Sequence, residues 1–175
     1  MSNYGTVNGG NAFFDSRLHA YDWDQATVAD RQKALYQATS LIDQFAYVGR
    51  KYTVQAVVTA LGDTADLCTD ANKEALRVAE LAQELEFPRG DNSTIPTEIE
   101  HACYLIAKAL LRGRDPEADL EALATKATGY GDIRTTYNRD GNHLEHVAHL
   151  IPSPQAFNLL KPFLREHYEF DSKRI

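Results

Sequence analysis

The 175-residue chain is predicted to be mainly α: a helical bundle with a short β-hairpin or extended arm, closed by a C-terminal helix and tail. Three observations predict this. Apolar residues recur at spacings of three and four over most of the chain, Ser/Thr/Asp caps and Pro/Gly stops punctuate those stretches, and the period changes to two only after Gly129. Hydrophobic residues are 43% and charged residues 25% of the composition, the profile of a chain that folds around a core. The expected organisation is a bundle over 1–128, an arm over 129–150 and a helix with its tail over 151–175.

Each element has a local reason. In Tyr4–Leu18 a short extended stretch leads to Asn8, which can cap a brief helix carrying Ala12, Phe13 and Leu18, with Val7 and Ala12 as a hydrophobic staple. His19–Gln25 breaks that pattern, and Trp23, the sole tryptophan, anchors the crossing to the core. Thr27-Val-Ala-Asp30 reads as a capping box opening a helix through Val28, Leu35, Ala38, Leu41, Ile42 and Phe45, which ends near Tyr47–Gly49. Residues 51–68 mix β-branched valines, which favour a strand, with helix formers and an interrupting Gly62 that allow a short helix, and the balance favours the helix. From Asp70, the stripe Ala71, Ala75, Val78, Ala79, Ala82 and Leu85 predicts a helix stopping at Phe87-Pro88-Arg89-Gly90.

Pro96 suits a helix first turn, and Ile99, Ala102, Cys103, Ile106, Ala109 and Leu110 then line one side of the expected central helix up to Gly113. Asp115-Pro116-Glu117 starts another helix through Leu120, Leu123 and Ala124. Beyond Gly129, Ile133, Thr135 and Tyr137 alternate with Arg134 and Thr136, and Asp140-Gly141 supplies a turn, so 130–150 reads as hairpin or extended arm. Ser153-Pro154 restarts a helix bearing Phe157, Leu160 and Leu164, followed by a charged and aromatic tail.

Composition also bounds function. No apolar run approaches the roughly 20 residues that cross a bilayer, and the start lacks a secretory pattern, so a soluble protein made in the cytosol is expected. Cys68 and Cys103, without CxxC spacing, read as core thiols. A net charge of −7 and a pI near 5.3 disfavour a sequence-independent grip on a phosphate backbone. They suit a passage through which DNA slides.

No catalytic constellation emerges. His143, His146 and His149 stand three apart, whereas zinc sites on helices place two histidines four apart, so the reading is an exposed polar segment rather than a metal site. The glycine-dense sites fit neither dinucleotide nor phosphate-loop patterns. Lys108, Arg112 and Arg114 form the best basic cluster, at a helix end where cations offset the dipole. The expectation is a protein without enzymatic activity, cofactor or metal.

The order of motifs resembles a family of tailed-bacteriophage virion proteins, the head–tail adaptors or connectors, often labelled DnaT-like single-stranded-DNA-binding proteins. It rests on Tyr4-Gly5-Thr6-Val7-x-Gly9 with Phe13, Phe14 and Arg17, then Trp23, then Ala34–Asp43. It continues through Phe87-Pro88-Arg89, Ile95-Pro96-x-Glu98-Ile99 with Ala102, Lys126 with Gly129, Asp132, Ile133 and Tyr137, and Leu159–Leu164. The segment Gly49–Gln83 departs from the pattern by its length.

The resemblance implies a virion protein of the neck, a dodecameric ring of copies below the portal that receives a tail or neck protein and leaves a channel for double-stranded DNA, with no membrane partner. Its implied portal-facing residues are Leu160, Phe163, Leu164, Tyr168, Phe170 and Arg174. Ile133, Tyr137, Arg139, His143 and His146 are those implied to face neighbours or tail. The alternative is the label taken literally, a single-stranded-DNA-binding accessory protein, and a metal-dependent enzyme using the histidines is the third.

Overall fold

The computed structural model describes residues 2–62, 66–124, 127–130, 133–136 and 145–165, with backbone alone at 123–124 and in the two short paired segments. The fold is mainly α, with nine helices among the described residues. These are α1 (Val7–Asp15), α2 (Tyr21–Gln25), α3 (Val28–Ile42), α4 (Tyr52–Leu61), α5 (Asp70–Ala82), α6 (Thr97–Leu111), α7 (Pro116–Ala124), α8 (Glu145–Ala148) and α9 (Pro154–Leu160). A 3-10 turn, Lys161–Phe163, follows α9. None of these helices is long and apolar enough to cross a membrane.

The chain divides into two compact units, one made of 1–42 and 97–160, the other of 43–96 and 161–175. In the first unit α6 is the centre, packed most extensively against α3 and α9 and also touched by α1 and α2. Ile99, Ala102, Cys103 and Ile106 are fully buried on it, as the sequence predicts, and Tyr104, Leu105 and Ala107 are buried as well. A helix wrapped on so many sides carries apolar residues around most of its circumference. Facing it are Leu35, Ala38 and Ile42 of α3 and Ala156, Phe157 and Leu160 of α9, all buried.

Several helix boundaries follow their expected chemistry. In α3 the Asp30 amide donates to the Thr27 hydroxyl at 3.1 Å, which in turn donates to the Asp30 carboxylate at 2.8 Å. Asp115 accepts from the amides of Glu117 and Ala118 at the start of α7. Within 51–68 the helix is Tyr52–Leu61, and Gly62, at φ +83°, follows its end.

Other readings are corrected. Thr6, rather than Asn8, caps α1: its hydroxyl accepts from the Gly9 amide at 3.0 Å, so Asn8 lies inside the helix. The break expected at His19–Gln25 contains the helix α2. The helix α3 ends at Ile42, before the expected stop at Tyr47–Gly49. Cys68 is exposed, and of the two cysteines only Cys103 is a core thiol.

The stripe on α5 is also turned. Ala71, Ala75, Val78 and Ala82 are exposed, Leu85 is half-buried, and Ala79 alone of the predicted set is buried. The helix instead packs through Ala79 beside the half-buried Asn72, Leu76 and Gln83, spaced four, three and four apart.

The backbone of Ala127–Tyr130 pairs antiparallel with Ile133–Thr136 in the register Ala127 to Thr136 and Tyr130 to Ile133. These two segments are strands β1 and β2, and the turn expected at Asp140-Gly141 lies outside the described residues. The short helix α8 stands within the stretch expected to be an arm.

In the second unit α4 packs on α5. Tyr47 and Phe87 are buried edge to face with centroids 4.7 Å apart, and Phe163 meets Phe87 the same way at 5.6 Å. The strap after α9 is pinned along 46–48: the Val48 amide donates to the Phe163 carbonyl at 2.9 Å and the Arg165 amide to the Ala46 carbonyl at 3.0 Å.

Candidate functional site

The N-terminal motif Tyr4–Arg17 with Trp23 forms one packed network in the first unit. Tyr4 is fully buried and its amide donates to the buried Thr39 hydroxyl at 3.0 Å. The Thr6 amide donates to the Tyr104 hydroxyl at 3.3 Å. Burial raises the Tyr104 phenol above its ordinary pKa, partly offset by that amide. Gly5, Gly9 and Gly10 are required by close approach, because a Cβ at Gly5 or Gly9 would overlap the Tyr104 hydroxyl and one at Gly10 would overlap the Trp23 ring.

Trp23 is held by more than contact. Its ring nitrogen donates to Asn11 Oδ1 at 2.9 Å, and Arg31 Nη1 donates to the same oxygen at 2.7 Å. Arg31 also donates to the carbonyls of Trp23 and Asp24, both at 2.9 Å. Phe14 and Trp23 lie 5.1 Å apart, and Arg17 stands 3.9 Å over the Phe13 ring. These motif residues are consumed in building the unit.

Phe87-Pro88-Arg89 has an equally structural task in the second unit. Arg89 donates to the carbonyls of Val48 (3.1 Å), Tyr47 (3.3 Å), Gly49 and Glu86 and pairs with the Glu86 carboxylate. Lys51 lies 3.3 Å from Glu86 and 3.6 Å from Glu80 and donates to the Gln83 carbonyl. Gln83 donates to the carbonyls of Leu85 and Pro88, both at 2.9 Å, and accepts from the Thr53 amide. Burial first, then the charges of Asp43 and Glu86, raises the Tyr47 phenol far above its usual pKa.

Several large apolar side chains remain outward. Leu18 is 86% exposed, Tyr21 71% and Val28 68% on the first unit, and Leu81 is 71% and Val78 56% exposed on the second. Tyr21 lines an open groove of about 590 Å³ whose apolar half is Ala26, Ala34, Leu110 and Leu111 and whose polar half includes Asp22, Asp30 and Lys33. The Thr27 hydroxyl first, and Lys33 second, hold the Asp30 carboxyl below its ordinary value of 3.8. A carboxyl lowered in this way stabilises the folded chain above its ordinary titration range and loses that contribution as pH falls through the lowered value. Thr27→Ala should return the Asp30 midpoint towards 3.8 in a carbon-detected NMR titration; an unmoved midpoint would refute the assignment.

A second groove, of about 510 Å³, lies beside the end of α6 and is lined by Lys108, Arg112 and Arg114 with Leu105, Ala109 and Pro152. No cluster of three or more His, Cys, Asp or Glu side chains able to hold a metal occurs among the described residues. His146 is half-buried in α8, and His149 stacks on Phe157 with centroids 5.3 Å apart; His143 lies outside the described residues.

Of the implied portal-facing residues, Leu160 is fully buried in the first unit, while Phe163 and Leu164 are half-buried in the strap of the second. Tyr168, Phe170 and Arg174 lie outside the described residues, as do Tyr137 and Arg139, and only the backbone of Ile133, in β2, is described. Sequence reasoning did not single out Leu18, Tyr21, Val28 and Leu81 as exposed. Leu18 and Val28 occupied positions that periodicity assigns to a buried face. Comparison with protein-family models, curated proteins and solved structures finds no match.

Proposed function

We propose that this chain is a structural virion protein, a head–tail adaptor whose copies form a ring below the portal of a tailed bacteriophage around the DNA channel. In this reading it works by surface contact with the portal, its neighbours and a tail or neck protein, and makes or breaks no bonds. The observation that carries the reading is the apolar surface. The groove of Tyr21, Leu110 and Leu111, with Leu18 and Val28 exposed on the same unit, leaves apolar area in water that a partner would cover.

Further support comes from the motif residues behind the resemblance. Tyr4, Gly10, Phe14, Trp23 and Arg89 hold the two units in shape, as a scaffold requires. A single kind of contact between different faces of identical subunits closes into a ring when its rotation allows.

Mixing the purified protein with portal rings and imaging them by electron microscopy tests the proposal. Added density arranged as a ring on the portal is the expected result. Bare portals, together with capture of single-stranded DNA at physiological salt, would replace it with the DNA-binding reading.

A further inference from the structure

The groove at the end of α6 has a composition unlike the rest of this acidic chain. Lys108, Arg112 and Arg114 line it together with the apolar Leu105, Ala109 and Pro152 and the polar Ser153 and Gln155, and no Asp or Glu lines it. Offsetting the partial charge of a helix C-terminus calls for about half an elementary charge, well below what three cations supply. Two of the three have some occupation: Lys108 donates to the His19 carbonyl at 3.4 Å, and Arg114 Nε stands 3.4 Å from Asp119. The Arg112 side chain is exposed and makes no hydrogen bond or ion pair among the described residues.

From this geometry we infer that the groove is a docking site for an extended acidic peptide segment of a partner protein. Carboxylates of the segment pair with Arg112 and the outer nitrogens of Arg114, since guanidinium forks match carboxylates in two-point contact. An aliphatic or aromatic side chain between them seats on Leu105, Ala109 and Pro152. Charge complementarity selects this occupant over nucleic acid. A strand of nucleic acid needs a continuous basic track and flat rings for its bases. Here the cations number three, no aromatic lines the groove, and the whole chain carries a formal charge of −7 that repels a long polyanion. The inference stands on the groove alone and does not depend on the adaptor reading.

Fluorescence anisotropy with a labelled peptide of alternating glutamate and leucine, carrying one phenylalanine, tests it on the full chain. The expected result is saturable binding at low salt that disappears when glutamine replaces the glutamates. Arg112→Glu, at an exposed position, should weaken binding about tenfold or more, and Arg112→Lys should restore part of it. Unchanged far-UV dichroism and melting temperature show that each variant is folded. The inference is overturned if the acidic peptide does not bind, if the glutamine peptide binds equally, or if Arg112→Glu leaves the affinity unchanged. Displacement of the peptide by an oligothymidylate that itself binds more tightly would also overturn it, in favour of a nucleic-acid groove.

Discussion

Trp23→Ala should destabilise the first unit by roughly 3–5 kcal/mol, the range for removing a large aromatic side chain from a core. The indole is fully buried, touches Phe14 and fills the space that a Cβ at Gly10 would enter. Removing it also takes one of the two donors from Asn11 Oδ1, leaving Arg31, and frees Arg31 from the ring it stands over at 5.5 Å. For a chain of this size the loss corresponds to a fall in melting temperature of roughly 6–20 °C. Thermal unfolding followed by far-UV dichroism reads it directly, and a loss under about 1 kcal/mol would show that Trp23 does not anchor this core.

A coupled experiment separates packing from helix propensity. Alanine is the better helix former by about 1 kcal/mol, so Gly10→Ala would stabilise α1 were the Trp23 ring absent. With the ring present, overpacking costs about 1–3 kcal/mol. Gly10→Ala should therefore be harmful in the native background and neutral or favourable with Trp23→Leu. Equal effects in both backgrounds would contradict the close approach.

Arg89→Ala is expected to cost the second unit roughly 3 kcal/mol, because the guanidinium satisfies several groups together. The carbonyls of Tyr47, Val48, Gly49 and Glu86 all accept from it, and its side chain is 14% exposed, so their loss is not fully made good by water. Lysine keeps the charge but lacks the planar fork, so Arg89→Lys should recover less than half of the loss. Hydrogen exchange at the Val48 amide, bonded to the Phe163 carbonyl, gives a local readout alongside chemical denaturation. Unaltered protection of that amide in Arg89→Ala would show that the clamp does not hold the strap.

The helical class was legible because its signals are local. Thr27 with Asp30, and Asp115 before Pro116, declare helix starts through side chains that reach backbone amides three residues away or fewer. The apolar pattern of α6 likewise declares a buried helix wherever its neighbours come from. Orientation was less legible where alanine dominates. On α5 the exposed row Ala71, Ala75, Val78 and Ala82 has the same helical spacing as the packed row around Ala79, and periodicity does not distinguish them.

The surface features needed long-range information. Arg31 reaches Asn11 across 20 residues, and the Thr6 amide reaches Tyr104 across 98, distances over which no sequence spacing indicates a partner. Lys108, Arg112 and Arg114 were visible as a basic helix end, but their groove is completed by Pro152–Gln155, brought there by tertiary packing. Tyr21 and Leu111 likewise become part of one groove only once α2 lies beside α6.

The first unit is made from two stretches of chain separated by the whole of 43–96. During synthesis, at about 5–20 residues per second, Tyr4, Phe14 and Trp23 therefore wait several seconds or more for α6 to leave the ribosome. Throughout that interval the nascent amino-terminal segment keeps its aromatic rings without their eventual lining, a natural point of engagement for chaperones. Over the same interval α4 and α5, close neighbours in sequence, have the opportunity to pair, while the strap that completes their unit is synthesised after the last helix of the first.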